Sequence, residues 1–406
     1  MLRSVLFFAD TPHRMGGAQR SLLAQLSVLP RHGIAPIVVF PAAGRMLDEA
    51  ARARLETVLL PAPEPLLRYE QRLLALGPLE QLEVLVRHAI PYSRALVRLA
   101  RSRGASAIHF NGLRGLVVGG LAARASGLRV VLHQHGLPLR RLGPTVSALM
   151  LLADRIVLVS GSLRSAFPGF LHRRFVTIQN GLARLPPHTR EEGRRALAQL
   201  CEVSRERLDA TPVIVTLSTL TPWKGLHHLV TALAMLRARG APLRWVMLGP
   251  RHEPEYTAHL ERRVAEAGLS SLVHAPGYRD DATRLLAGAD LFVLPTVSDE
   301  RLDFGRGSTR LRPTEGLPMS LLEALALGIP CVATDVAGVT DALQEGVNGR
   351  LVRPSDPEAL AAAIAGALGD PSLAERVRRE GPALVRSRFL ADVSGAKLAA
   401  LLLGLP

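Results

Sequence analysis

The residues best equipped to do chemistry are Glu315, Glu323 and Lys224. Glu315 opens the run Glu315-Gly316-Leu317-Pro318-Met319-Ser320-Leu321-Leu322-Glu323, which follows Thr314 and continues to Gly328-Ile329-Pro330. Gly316 permits a tight loop. Pro318 suits a first helical turn, where a missing N–H costs nothing. The amides of Met319, Ser320 and Leu321 then lack intrahelical partners, which makes that helix end a natural cradle for phosphate. Glu315 precedes the helix and Glu323 lies about one and a half turns into it, so both carboxylates can face one ligand from different heights. Gly328 closes the helix and Pro330-Cys331-Val332-Ala333 begins a strand. The plainer reading is a helix-capping glutamate and a surface one.

A second segment, Leu217-Ser218-Thr219-Leu220-Thr221-Pro222-Trp223-Lys224-Gly225, follows an apolar run and precedes a helical one, where a diphosphate would be met. Lys224 and Lys397 are the only lysines among 50 basic residues, so a compact ammonium is wanted here in a chain that otherwise uses arginine. Such a charge about 4 Å from a phosphate, at an effective dielectric near 20, is a Coulomb term of roughly 4 kcal/mol before desolvation. Other polar elements also stand at strand ends. In Arg14-Met15-Gly16-Gly17-Ala18-Gln19 two glycines permit close backbone approach to a phosphate or sugar. That loop lacks the Gly-x-Gly-x-x-Gly spacing, which argues against a nicotinamide dehydrogenase. His135-Gly136, His109 with Asn111, and Gly277-Tyr278-Arg279 complete the set. A lone histidine is usually structural, and Arg279 reads equally as a surface arginine.

Glu, seven residues, Glu, then Ala-x-Ala-x-Gly-x-Pro, as it stands at 315–330, resembles the signature of the family 4 (group 1) glycosyltransferases. The similarity continues through Ala333-Thr334-Asp335, Gly338, Gly346-Val347-Asn348-Gly349 and Pro354-Ser355-Asp356, and it weakens in the first half. The resemblance implies a GT-B fold, a nucleotide diphosphate sugar (UDP- or GDP-sugar) as co-substrate, retention of anomeric configuration, and no bound metal or other cofactor. By the same resemblance Glu315 would bond hydroxyls of the transferring sugar and Glu323 those of the ribose. The Gly16-Gly17 loop would face the diphosphate with Lys224. His135 would contact the sugar, His109 and Asn111 would lie on the acceptor side, and the backbone after Gly277 would meet the base.

Two departures stand out. The family has an arginine five positions before the lysine, and this chain has Thr219. A long insertion with Arg301, Arg306, Arg310 and Arg312 separates Leu294-Pro295 from Glu315. Either one of these arginines replaces the missing cation or the insertion is a solvated loop. Thr219 also supports a rival reading, a GT-B scaffold that binds a sugar nucleotide or partner without turnover. A sugar-nucleotide epimerase on the same fold is a further alternative.

These residues need a framework that gathers strand ends. Short apolar runs alternate with helical stretches, the pattern of parallel sheets covered on both faces. Strands are expected at 4–9, 34–40, 57–60, 107–110, 129–133, 155–159 and 175–179, then at 213–217, 244–248, 273–275, 291–294, 330–333 and 349–352. The fold class is α/β, two doubly wound Rossmann-like domains facing across a cleft at their strand carboxyl ends. The expected division is an acceptor-side domain at 1–182, a linker at 183–210 and a nucleotide-sugar domain at 211–390. A last helix is expected at 391–406, with a crossing back to the first domain as one route. Closure over the donor would hinge near 180–184.

With 406 residues, 48% hydrophobic, the chain is long enough for two cores. Its net charge of +15 reads as a solvated arginine surface or as attraction to phosphates or an anionic membrane. Aromatics at 4%, with no basic run interleaved with stacking rings, argue against nucleic acid. Two cysteines exclude a disulfide framework and suit a cytoplasmic protein. The apolar run at 5–9 is too short for a signal-peptide core. Basic, leucine-rich stretches at 66–103 and 137–150 suit either ordinary packed helices or peripheral contact with the inner face of a membrane. The acceptor would be a glycan, a lipid-linked sugar or a small molecule.

Overall fold

The computed structural model describes residues 2–13, 15–67, 77–136, 144–305, 307–311 and 315–405. The chain forms two compact units, residues 1–183 with 390–406 and residues 184–389.

Unit 1 is built on seven parallel strands: β1 (Arg3–Phe8), β2 (Ile34–Phe40), β3 (Glu56–Leu59), β4 (Ala107–Phe110), β5 (Arg129–Gln134), β6 (Arg155–Leu158) and β7 (Phe175–Thr177). Their order is β3-β2-β1-β4-β5-β6-β7. The direction of winding reverses between β1 and β4, and in such sheets the loops after those two strands form the binding crevice. Those loops carry Gly16 and Asn111. The core under β1 and β2 holds Val5, Phe7, Val38 and Phe40 against Leu22 and Leu26 of the helix Gly17–Val28. Leu398 and Leu402 of the chain's last helix, Ala391–Leu403, complete it.

Unit 2 repeats the scheme with six parallel strands: β8 (Val213–Leu217), β9 (Arg244–Leu248), β10 (Val273–Gly277), β11 (Leu291–Leu294), β14 (Cys331–Thr334) and β15 (Gly349–Val352). The order is β10-β9-β8-β11-β14-β15, so the reversal lies between β8 and β11. Between β11 and β14 the chain adds an antiparallel hairpin, β12 (Glu300–Phe304) with β13 (Gly307–Leu311). The apolar runs at 213–352 thus become strands, and the insertion before Glu315, weighed as a solvated loop, pairs 300–304 with 307–311.

Residues 184–210 do not form a linker. They belong to unit 2. Thr189 and Glu192 form a reciprocal cap on the helix Arg190–Leu200, and that helix lies on Ala282–Ala287. Glycines make the contact: a Cβ on Gly193 would stand 2.2 Å from the Gly288 amide nitrogen. Arg194, buried, then bonds Asp209 and Asp290 at 3.0 Å each. Among the described residues no helix is long and apolar enough to cross a membrane. Cys201 and Cys331 are buried thiols.

Candidate active site

Lys224 ends a single helical turn, Pro222–Lys224, directly after β8. Gly225 follows at φ +68°, and a Cβ there would stand 1.9 Å from the Pro295 carbonyl oxygen. Glycine is therefore required, and the loops after β8 and β11 touch backbone to backbone. This contact brings Thr296 and Glu315 to the lysine. The Lys224 ammonium is in ion-pair contact with Glu315 Oε1. The Thr296 hydroxyl donates to the same oxygen at 3.2 Å, and the Thr296 carbonyl accepts from Thr334 Oγ1 at 2.5 Å. On its other side the ammonium lies 4.2 Å from the centroid of the Trp223 ring, a cation–π contact. Lys224 and Glu315 are 9% and 6% exposed, so each charge depends on the other for compensation.

The glutamate loop is fixed by a second glycine. Gly338 lies at φ +85°, and a Cβ there would stand 1.4 Å from the Gly316 carbonyl oxygen. Glu315, Gly316, Leu317, Pro318 and Met319 are buried, and Ser320 is half-buried. Pro318 is the N-cap of the helix Met319–Ala326, one place earlier than expected. The Leu322 N–H reaches the Pro318 carbonyl at 3.3 Å. The Met319, Ser320 and Leu321 amides precede that first helical bond and have no intrahelical acceptor. Glu323 is buried on the same helix.

The remaining candidates of unit 2 are less concentrated. Thr219 is half-buried, its hydroxyl 3.4 Å from that of Thr221. Tyr278 and Arg279 are exposed after the edge strand β10. Arg279 grips Asp281 with two bonds of 2.8 and 3.0 Å. In the insertion Arg310 grips Asp299 at 2.6 and 2.5 Å, and Arg301 is exposed. Arg306, Arg312 and Thr314 lie outside the described residues, as does Arg14 of the glycine loop.

In unit 1, Gly16 is the N-cap of the helix Gly17–Val28. Its amide donates to Gln19 Oε1 at 3.1 Å, and Gln19 Nε2 donates to Thr11 Oγ1 at 2.6 Å. His109 and His133, on adjacent strands, are fully buried with ring nitrogens 3.2 Å apart. His135 stacks on His133 with centroids 4.3 Å apart, and its Nε2 lies 2.7 Å from Asn111 Oδ1. Burial, then the neighbouring His135, depress the His109 pKa to about 3. Burial lowers His133 well below the usual range. Burial also lowers His135 to about 4, against a hydrogen bond with Asn180 that favours its charged form. The imidazoles are thus neutral at pH 7. His135 there is a hydrogen-bonding group, not a cation.

Several functional candidates escape the sequence. Thr296 sits one residue past the Leu294-Pro295 strand end, and its contact with Glu315 spans 19 positions. The cluster of His227, His228 and Glu300 joins residues more than 70 positions apart. The His227-His228 pair was the one local signal of it.

The family model described as "Glycosyl transferases group 1" matches residues 203–383. The one described as "Glycosyltransferase Family 4" matches residues 15–183. The colanic acid biosynthesis glycosyltransferase WcaL of Salmonella typhimurium is 30% identical over 154 residues, 37% of this chain and 35% of that protein. The chain thus matches little more than a third of that relative's length. A Mycolicibacterium smegmatis protein is 29% identical over 304 residues, 71% of this chain and 73% of its own. It is named as a GDP-mannose-dependent alpha-(1-6)-phosphatidylinositol monomannoside mannosyltransferase. Among solved structures, Anabaena HepE in complex with UDP and glucose has a TM-score of 0.78 at 22% identity, covering 99% of this chain and 100% of that one. That likeness is one of fold. With two family models matched along its length and a reversing parallel sheet in each unit, the chain belongs to the family 4, group 1 glycosyltransferases of the GT-B type.

Proposed function

We propose that the protein transfers a sugar from a nucleoside diphosphate to an acceptor with retention of configuration, and with no divalent cation on the diphosphate. The observation that carries this reading is the buried Lys224–Glu315 pair at the point where the sheet of unit 2 reverses. Departure of the nucleoside diphosphate builds negative charge on its oxygens. Lys224 and the amides of Met319, Ser320 and Leu321 stabilise that charge as preorganised donors, each worth about a hundred- to a thousandfold in rate. An incoming diphosphate offers Lys224 a second anion, which frees Glu315 to accept from a sugar hydroxyl. Glu323 takes the ribose. In unit 1, neutral His135, held by Asn111 and stacked on His133, is suited to bond a sugar hydroxyl, with the buried His109 behind His133.

The donor class is a UDP- or GDP-sugar. Support comes from relatives, one named for GDP-mannose and one solved with UDP and glucose. A glycan or lipid-linked acceptor is supported by relatives named for colanic acid and phosphatidylinositol mannoside synthesis. Peripheral membrane contact is supported by exposed Leu79, Leu82, Leu85 and Val86, spaced to share a face over 78–89. Co-sedimentation with vesicles rich in anionic lipid should fall when Leu79 and Leu82 become serine. Equal binding by both proteins would remove that contact.

The decisive experiment is a thermal-shift screen of UDP-, GDP- and ADP-sugars, then turnover of the best donor without added Mg²⁺ or Mn²⁺. The reading expects a product of retained configuration and a loss of about a hundredfold or more in Lys224→Ala. Stabilisation by a donor with no transfer or hydrolysis would instead favour a binding scaffold. Inverted product would overturn retention.

A further inference from the structure

The first turn of the helix Leu226–Ala238, immediately after Lys224 and Gly225, carries His227 and His228. Their rings lie 4.2 Å apart. Both Nε2 atoms converge on one carboxylate at the base of the hairpin. His227 Nε2 is 2.9 Å from Glu300 Oε1, and His228 Nε2 is 2.8 Å from Glu300 Oε2. The Ser355 hydroxyl, in the loop after β15, donates to Oε2. The side chains of His227, His228 and Glu300 are 3%, 19% and 14% exposed. From behind, His227 Nδ1 meets the Tyr256 hydroxyl at 3.0 Å, the kind of outer contact that orients a ligating imidazole. Phe304 of the hairpin packs edge-on against Tyr256 with centroids 5.6 Å apart.

We propose that His227, His228 and Glu300 form a zinc-class metal site that fastens the base of the hairpin to the helix after Lys224. The three ligand atoms lie within 4.8 Å of one another. Tetrahedral Zn²⁺ with bonds near 2.0–2.1 Å places its ligand atoms about 3.3 Å apart, so the imidazoles need to shift by about an ångström or less. Ser355 Oγ or a water completes the coordination. Two imidazoles and one carboxylate suit Zn²⁺ and its transition-metal neighbours, whereas Mg²⁺ and Ca²⁺ prefer oxygen ligands. Without an ion the same atoms satisfy one another as hydrogen bonds, two imidazoles donating to one carboxylate. The experiment must separate those two states.

The full, untagged chain is stripped with chelator, then titrated with Zn²⁺ by calorimetry and with Co²⁺ by visible absorption. The expected result is one equivalent bound, a tetrahedral Co²⁺ band, and a metal-dependent rise in unfolding temperature. Affinity should fall at least tenfold in Glu300→Gln, which keeps the shape of the side chain, and in His228→Ala. Absence of stoichiometric binding to the wild-type chain overturns the proposal. So does binding with the same affinity and Co²⁺ spectrum in Glu300→Gln, because the metal then sits on others of the 13 histidines. These readouts need no sugar transfer, so their failure leaves the transferase reading untouched.

Discussion

Lys224 and Glu315 hold each other's charge out of water, and that makes their energetics strongly non-additive. Removing one member of a buried pair leaves an uncompensated charge and costs about 3–5 kcal/mol, while replacing both can be nearly neutral. Lys224→Met should therefore lower the unfolding temperature of unit 2 by roughly 6–20 °C, given about 2–4 °C per kcal/mol for a unit of this size. Glu315→Gln should cost less, since an amide still accepts from Thr296 and its shape is kept. The double variant should regain most of the loss, and a double-mutant cycle by thermal or urea unfolding measures the coupling. Simple addition of the two single effects would mean that the ion pair carries no stabilising weight.

At the scale of elements, β4 and β5 place three neutral imidazoles in unit 1, and this has a pH consequence. Their folded pKa values are depressed, to about 3 for His109 and about 4 for His135. An unfolded histidine takes up its proton near pH 6.5. Between pH 6.5 and about 4 the unfolded chain therefore binds more protons than the folded one, and stability falls as pH falls. Above pH 6.5 the contribution is complete. With three such groups the slope reaches up to about 4 kcal/mol per pH unit. Urea unfolding read by hydrogen exchange over β4 and β5 should show a lower midpoint at pH 5 than at pH 7. An unchanged midpoint would mean these rings charge freely in the folded state. Elements of this kind were legible in the sequence to very different degrees. The sheet strands read clearly because buried parallel strands are nearly unbroken apolar runs, as Leu291-Phe292-Val293-Leu294 shows. The β12–β13 hairpin did not, because charged and polar residues outnumber Leu302, Phe304 and Leu311 and most of its residues are exposed. The helix Arg190–Leu200 docks through the Gly193–Gly288 contact across 95 positions, which no local pattern announces. In the site, Glu315 and Lys224 stood out by motif and rarity. Thr296 and Glu300 depend on tertiary contacts, and only the adjacent His227-His228 pair hints at the cluster.

At the scale of the whole molecule, the chain begins and ends in the same unit. The helix Ala391–Leu403 lies on Gly17–Val28, its Gly395 so close that a Cβ would stand 2.3 Å from Val28 Cγ2. Leu398 and Leu402 are buried in the core beside Val38 and Phe40. The Ala391 N–H donates to the Leu182 carbonyl at 2.9 Å, and the Gly181 N–H to Ser21 Oγ at 2.8 Å. Burying two leucines contributes about 3–6 kcal/mol at ~1.5–3 kcal/mol each, a large part of the stability of a typical domain. Unit 2 is continuous in sequence over 184–389 and has its own sheet. Removing residues 390–406 should therefore weaken unit 1 selectively. Nature supplies the reporter, since Trp223 and Trp245, the only two tryptophans, both belong to unit 2. In the truncated chain the fluorescence transition should keep its midpoint within about 2 °C, less than ~1 kcal/mol for a unit of this size. Amides of β1 and β2 should meanwhile lose most of their protection from hydrogen exchange. A fluorescence midpoint that falls together with that protection would show that the last helix supports both units, and that the two cores unfold as one.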